Sequence, residues 1–378
     1  VADVVIAGAG PAGASLAVML GRAGLTVELF DARRFPREKP CGEGMQPSGV
    51  AVLDRLGLTQ AVGGCRVERL RYHGYGLTAE SAFPCPSPRG GPAPTMLAQR
   101  RLRLDDTLVA AARATPGVRV YEDAAVEGAV VEQGRAVGLG VGGDLRRAGL
   151  VVGADGIASR VRRSLGLDAA PRRARRVGVR AHYRLAAGKA PPSRLEIFLG
   201  ARHELYVAPL PDGEVLVAAL ADGAALGGKA RAALARWIDE EPLLRDLLEG
   251  AEPLTDVAGR MPVAGRARAG FAPGAVLLGD AASATDPLTA GGLAHALVTA
   301  ERLAAHARRI VTEGKGREGD RLLARFDAER RRLLRPPTLL TAGLLAVVGR
   351  PRLARLTLRL MRAQPRAMRR LIGVAAGI

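Results

Sequence analysis

Val4-Val5-Ile6-Ala7-Gly8-Ala9-Gly10-Pro11-Ala12-Gly13 stands near the start of the chain, and an alanine-rich run from Ser15 to Ala23 follows it at once. Apolar residues leading into G-x-G-x-x-G and then into a helical stretch form the pattern of a strand, a tight turn and a helix N-terminus. Gly8 permits the turn, Gly10 leaves room for a pyrophosphate to approach the backbone, and Gly13 lets helix and strand pack closely. Open amides and the helix dipole at that terminus favour phosphate charge. A second strand, Leu25 to Phe30, ends at Asp31, about 20 residues beyond the glycines, where a carboxylate can hold a ribose hydroxyl. The pattern predicts an α/β unit that binds a dinucleotide.

The rest of the composition narrows the function. With 378 residues, 48% of them hydrophobic, the chain can build two domains or one elaborated one. Aromatic residues make up only 3%, which argues against stacking on nucleic-acid bases. Cys41, Cys65 and Cys85 are odd in number and widely spaced, so they read neither as a disulfide framework nor as a zinc site. No charged segment followed by an apolar one precedes the first strand, and the expected location is cytoplasmic. The net charge of +19 comes from arginine, with only four lysines, and no nucleic-acid recognition module accompanies it. Specific nucleic-acid binding is not expected; a general attraction to polyanions and anionic membranes remains.

Along the chain, Arg33 to Met45 is a polar loop punctuated by Pro and Gly, ahead of a helix from Pro47 to Leu56. Short strands are expected over Arg66 to Leu77 and Thr78 to Phe83, a proline-rich loop over Pro84 to Pro94, and a helix led by Arg100 to Asp105. Strands follow at Val118 to Tyr121, Ala124 to Glu132 and Ala136 to Val141. Leu150 to Ser159 reads as a buried strand that breaks at Asp155-Gly156. Alternating strands between Val177 and Leu220, then one helix from Ala230 to Leu248, mark a second domain. Ala275 to Leu278 is an apolar strand ending in Gly279-Asp280, and Gly291-Gly292-Leu293 opens a long helix to about Val311.

Three glycine-acid stations result: Gly8 to Gly13 with Asp31, Asp155-Gly156, and Gly279-Asp280 with Pro287 to Gly292. Their order and spacing resemble the flavin-dependent monooxygenases of the para-hydroxybenzoate hydroxylase type, and equally the geranylgeranyl reductases and flavin-dependent halogenases that share that fold. The resemblance implies an α/β Rossmann-type FAD-binding domain of the para-hydroxybenzoate hydroxylase/glutathione reductase type, with an inserted β-sheet substrate domain and C-terminal helices. The FAD domain would be discontinuous, over 1–70, 95–175 and 265–330; the substrate domain would take 71–94 and 176–264, and a helical segment 331–378. FAD would bind noncovalently, its pyrophosphate on Gly8, Gly10, Pro11, Ala12 and Gly13. Its adenosine ribose would lie at Asp31, beside Ala32 and Arg33, with adenine at Ala125 or Val126. Cys41, Gly42 and Arg101 would run along the ribityl and ring region. Asp155-Gly156 would sit near the pyrophosphate and take part in NAD(P)H handling. Gly279 and Asp280 would face the ribityl hydroxyls, and Pro287 with the amides of Gly291, Gly292 and Leu293 the flavin ring.

The resemblance implies an FAD-dependent oxidoreductase with NAD(P)H as cosubstrate. The first reading is a monooxygenase that hydroxylates or epoxidises a hydrophobic aromatic, polyketide or isoprenoid compound, favoured by Gly153 to Ser159. The alternative is an ene-reductase like the geranylgeranyl reductases, which Lys39-Pro40-Cys41-Gly42 and Asp286-Pro287-Leu288-Thr289 resemble more. A halogenase is disfavoured: the one tryptophan, Trp237, lies outside the Trp-x-Trp-x-x-Pro stretch of those enzymes. Glu43, the titratable acid of the Cys41 to Met45 loop, is the candidate for proton transfer; the competing reading is a surface acid or an arginine's partner. Leu353, Leu356, Leu360 and Met361 fall at helical spacing opposite Arg352, Arg355, Arg359 and Arg362. They either meet an anionic membrane, which would suit a lipophilic substrate, or pack onto the body.

Overall fold

The structure, a computed structural model, describes residues 1–85, 93–169, 176–261, 263–312 and 316–378. The central part of the expected loop Pro84 to Pro94 lies outside the described residues. The main elements begin with β1 (Ala2–Ala7), α1 (Pro11–Arg22), β2 (Val27–Phe30), α2 (Pro47–Leu56), β3 (Arg69–Gly74), β4 (Leu77–Ala82) and α3 (Arg101–Ala114). Then come β5 (Val118–Tyr121), β6 (Val126–Glu132), β7 (Arg135–Val141), β8 (Asp144–Gly153), α4 (Arg160–Ser164), β9 (Arg176–Arg184) and β10 (Leu195–Leu199). After β11 (His203–Pro209) and β12 (Glu214–Asp222) follow α5 (Ala230–Asp239), α6 (Pro242–Leu248), β13 (Ala275–Leu277) and α7 (Gly292–Thr312). The chain finishes in α8 (Arg317–Val347), α9 (Pro351–Ala363) and α10 (Pro365–Ala376).

The first sheet has the parallel order β13-β8-β1-β2-β5, extended by the antiparallel ribbon β6–β7 beside β8. Its central strand, β1, has Val4 to Ala7 fully buried, the apolar run expected of a strand covered on both faces. On one face it packs Val4 and Ile6 against α1, α2, α3 and α7. On the other face Val5, Ala7 and Val151 meet β6, β7 and α4. All three glycine-acid stations lie at the carboxyl ends of β1, β8 and β13, where open α/β sheets bind ligands.

The second sheet runs β9-β12-β11-β10-β3-β4, antiparallel except between β10 and β3. Its two faces have different covers. Val177, Val179, Phe198 and Val217 pack beneath α5 and α6, whereas Leu70, Ile197, Tyr206 and Ala208 face the C-terminal helices. The single helix expected over Ala230 to Leu248 is in fact two, interrupted before Pro242, which occupies the first turn of α6. Proline lacks the N–H that a continuing helix would use, and it restricts the residue before it. Helix α8 runs unbroken across residue 331 and carries Pro336 and Pro337 in its interior.

Candidate functional site

The first station is shaped by close backbone contact. A Cβ at Gly13 would lie 1.9 Å from the Gly8 carbonyl oxygen, and one at Gly8 would lie 2.5 Å from that of Ala154. Gly8 also has φ +96°, a conformation that side chains disfavour. Gly10 differs: a Cβ there would meet nothing nearer than the Arg37 guanidinium at 3.9 Å. Gly10 is the N-cap of α1 and gives it no side-chain cap, and Pro11 takes the first helical position. The helix start therefore opens onto free space, as an anion site requires.

Asp31 stands beside this turn. It accepts the Ala9 N–H at 2.8 Å and the Arg33 N–H at 3.0 Å, while the Arg33 side chain stays exposed. Ala124 N–H bonds the Asp31 carbonyl, which brings Ala125 and Val126 to the same end of the sheet. At the second station the Asp155 carboxylate is engaged by the Ser159 hydroxyl and the N–H groups of Arg160 and Val161, at the start of α4. Next to it, Gly156 has φ +81°. Asp280 is exposed and makes no side-chain hydrogen bond or salt bridge among the described residues, which leaves it open to hydroxyl groups. Gly291, Gly292 and Leu293 form the start of α7, with Gly292 exposed.

Sequence reasoning did not assign cofactor roles to two cations of the 37–46 loop. Arg37 reaches between Asp31, at 3.7 Å, and Asp105, at 3.5 Å, and its Nε is buried without a hydrogen-bond partner. Lys39 projects inward, and a Cβ at Gly156 would lie 3.9 Å from its Nζ. Burial pushes the Lys39 ammonium down to about 8, aided by Arg101 and Arg37 and opposed by Asp280 and Asp105. Arg101 makes two 2.7 Å bonds to Asp105 in the interior. Burial works against its charge, but Asp105 and the Cys41 thiol more than offset this and hold its pKa above the ordinary value. A lysine without a paired carboxylate, beside an open helix terminus, fits the diphosphate of a dinucleotide.

Glu43 is neither a surface acid nor an arginine's partner. Its side chain is fully buried, Oε1 accepts the Arg101 N–H at 2.9 Å, and Oε2 lies 2.8 Å from His182 Nε2. Its φ of +55° lies in the left-handed region, at a cost on the order of 1 kcal/mol that its two side-chain bonds offset. Next to it, Arg180 pairs with Glu38, and His182 Nδ1 lies 3.1 Å from the Thr255 hydroxyl. Arg180 and His182 thus look from β9 toward the 37–46 loop, while Val179 and Ala181 pack beneath α5 and α6.

An apolar cleft lies elsewhere on that sheet. About 110 Å³ of internal space separates β3, β10 and β11 from the ends of α8, α9 and α10, with walls that include Leu70, Ile197, Leu344 and Leu358. Its floor is formed by Leu288, Thr289 and Ala290, the residues that lead directly into Gly291. The few polar groups there are Gln46, Tyr72, Tyr75, Glu204, Tyr206, Thr289 and Thr357. Glu204 is paired with Arg176 at 2.7 Å, and burial raises its pKa; Arg176 also reaches Asp286 at 3.0 Å. The cleft thus adjoins the third station through one continuous segment, and no local motif announced it.

The C-terminal leucines face outward. Helix α9 packs through Ala354, Leu358 and Met361, while Leu353, Leu356 and Leu360 remain 43%, 52% and 56% exposed. The alternative in which these three leucines pack onto the body is thereby corrected. No described helix is long and apolar enough to cross a membrane.

This fold, with its three stations, defines an FAD-dependent oxidoreductase. The chain belongs to the family described as "FAD binding domain", whose pattern matches residues 1–336. It is 33% identical over 336 residues to a menaquinone reductase of Mycolicibacterium smegmatis, covering 83% of this chain and 77% of that protein. It is 28% identical over 310 residues to digeranylgeranylglycerophospholipid reductase 2 of Methanopyrus kandleri, covering 78% and 74% respectively. Among solved structures, a flavoprotein/dehydrogenase from Cytophaga hutchinsonii superposes with a TM-score of 0.83 at 20% identity, covering 99% of this chain and 92% of that one.

Proposed function

We propose that the protein is a flavin-dependent reductase that saturates a carbon–carbon double bond in a long apolar substrate, with NAD(P)H as the reductant. The observation that carries this reading is the apolar cleft whose floor runs into the Gly291-Gly292 helix start. The similarity to two reductases of isoprenoid-bearing lipids supports it. So does the Lys39-Pro40-Cys41-Gly42 stretch, and on these observations we favour the reductase over the monooxygenase favoured on sequence alone. FAD, when bound, supplies two electrons per double bond, and two protons complete the saturation. Gly8, Gly10, Arg37, Lys39 and Asp280 would hold it, and the amides of Gly292 and Leu293 would favour negative charge on a ring placed against them.

The chain's own share is to bind the substrate and exclude water. Each buried methylene contributes about 0.8 kcal/mol, so affinity rises about fourfold for every carbon the cleft takes in. The outer ends of the same helices supply the route by which such a substrate would arrive. From Arg330 to Ile378 the sequence holds twelve arginines and no acidic residue. The exposed leucines of α9 stand among Arg352, Arg355 and Arg359, which suits an anionic membrane surface.

The test is product analysis with FAD, NAD(P)H and a panel of prenylated quinones and lipids, run under nitrogen and in air. Substrate heavier by two hydrogens under nitrogen is the expected outcome. Product that appears only in air and gains one oxygen would overturn the reductase reading in favour of the monooxygenase.

A further inference from the structure

We propose that Gln46, in the cleft lining, recognises a neutral hydroxyl group at the polar end of the substrate. This deepens the reading of the cleft as a lipophilic substrate site and rests on it.

Gln46 immediately precedes α2 and is 3% exposed. Its Nε2 donates to the Thr289 carbonyl at 2.8 Å. A carbonyl can only accept, so this bond fixes which end of the amide carries the oxygen. Oε1 is buried and has no hydrogen-bond partner among the described residues, although Gln46 lines the cleft. A buried acceptor left unpaired is destabilising, and a ligand that supplies a donor removes that penalty.

The other polar groups of the lining are already engaged. Tyr206 donates its hydroxyl to the Leu288 carbonyl at 3.3 Å, and Tyr75 donates to that of Gly200, also at 3.3 Å. The Thr289 hydroxyl lies 2.9 Å from that of Thr341 in α8. Both carboxylate oxygens of Glu204 face the Arg176 guanidinium, at 2.7 and 3.3 Å. Tyr72, like Thr357, is an exception, since its hydroxyl makes no hydrogen bond among the described residues. Burial pushes its pKa up to about 12, so it keeps its proton. The lining therefore offers one group that can only accept and two hydroxyls that can donate, those of Tyr72 and Thr357.

A ligand atom paired with Gln46 Oε1 must carry a hydrogen. An ammonium would enter an apolar cleft in which the only carboxylate is already paired, at a large desolvation cost. A ketone, ether or ester oxygen would set its lone pairs against those of Oε1. A neutral alcohol, phenol or hydroquinone satisfies Oε1 as donor, and its oxygen stays free to accept from a lining hydroxyl. Because Gln46 is bonded to Thr289, two residues before Gly291, that hydroxyl end lies at the cofactor side of the cleft.

The experiment uses the FAD-loaded protein and two ligands of equal chain length, 4-dodecylphenol and 4-dodecylanisole, with binding followed by calorimetry and by perturbation of the flavin spectrum. Wild type is expected to bind the phenol about tenfold more tightly than the ether. Gln46→Met, of similar length but without the acceptor, should bring the ratio near one with flavin content unchanged. Equal affinities in wild type would overturn the inference while leaving the cleft as a lipid site. This wild-type comparison decides the matter even if the variant does not fold. A preference for the phenol that persists in Gln46→Met would overturn it as well. If neither ligand binds, the reading of the cleft fails, and this inference with it.

Discussion

The dinucleotide cradle and the apolar cleft meet at Ala290-Gly291 but are built in contrasting ways. In the cradle, backbone touches backbone: a single methyl at Gly13 would overlap the Gly8 carbonyl, and one at Gly8 would overlap that of Ala154. The cleft walls are ordinary leucine, isoleucine and valine side chains brought from β3, β10 and three helices far along the chain. The first construction tolerates almost no change at its glycines. The second tolerates much, because one apolar side chain can replace another if volume is kept. One region fixes the cofactor, and the other can follow the substrate.

The sharpest way to break this comparison is at the glycines. Gly10→Val should leave the fold standing, since space lies in front of Gly10, yet weaken FAD binding at least a hundredfold, measured as flavin retained after gel filtration. Gly13→Ala should behave differently and lower the stability of the FAD-free protein by about 1–3 kcal/mol, read from thermal or denaturant unfolding. If both variants kept FAD and stability, the cradle would not be the constrained region described.

Next in size is the outer face of the cleft helices. Reversing Arg352, Arg355, Arg359 and Arg362 to Glu removes about 1 kcal/mol of attraction per residue. Partition onto anionic vesicles in a flotation assay should therefore fall a hundredfold or more, with flavin content unchanged. Unaltered partition would confine these helices to covering the sheet.

Filling the cleft gives a smaller and more selective effect. Leu344→Trp should reduce turnover of long-chain substrates about tenfold or more and spare short ones, with FAD stoichiometry unaffected. Equal losses for both chain lengths would mean that the cleft does not measure the chain.

The smallest effect is a pH dependence. A lysine whose pKa is about 8 in the folded protein, against an ordinary 10.5, opposes folding at low pH, and stability is regained as the pH rises through that interval. A bound diphosphate favours the protonated lysine. FAD affinity should therefore be level below pH 8 and fall by up to about tenfold between pH 8 and 9. Lys39→Met should abolish that fall. An unchanged slope in the variant would assign it to another group.

What the sequence made legible follows the same division. The three stations could be read because glycine, acid and helix start lie next to one another in the chain. Asp155 resembles a ligand and also bonds the start of α4, because an Asp-Gly turn ahead of a helix can serve both purposes. The burial of Glu43 was not visible, since its partner His182 lies 139 residues away. Gln46 carried no signal at all: its environment is made by Thr289 and by strands that pattern alone does not align. The C-terminal helix was recognised as amphipathic, but which leucines face inward depends on the sheet beneath it, and Ala354 and Leu358 took that role.

The segment from Arg37 to Gln46 also has a thermodynamic consequence. Arg37 and Lys39 point toward the cofactor stations, Glu38 and Glu43 grip β9, and Gln46 ends at the cleft floor. If the cleft takes the substrate, this one loop reaches both ligands, and the two binding events are coupled through it. Whatever factor FAD contributes to the affinity for a cleft ligand, that ligand contributes equally to the affinity for FAD. The two occupancies form a single coupled equilibrium, and a dissociation constant measured for either ligand alone describes only one edge of that cycle.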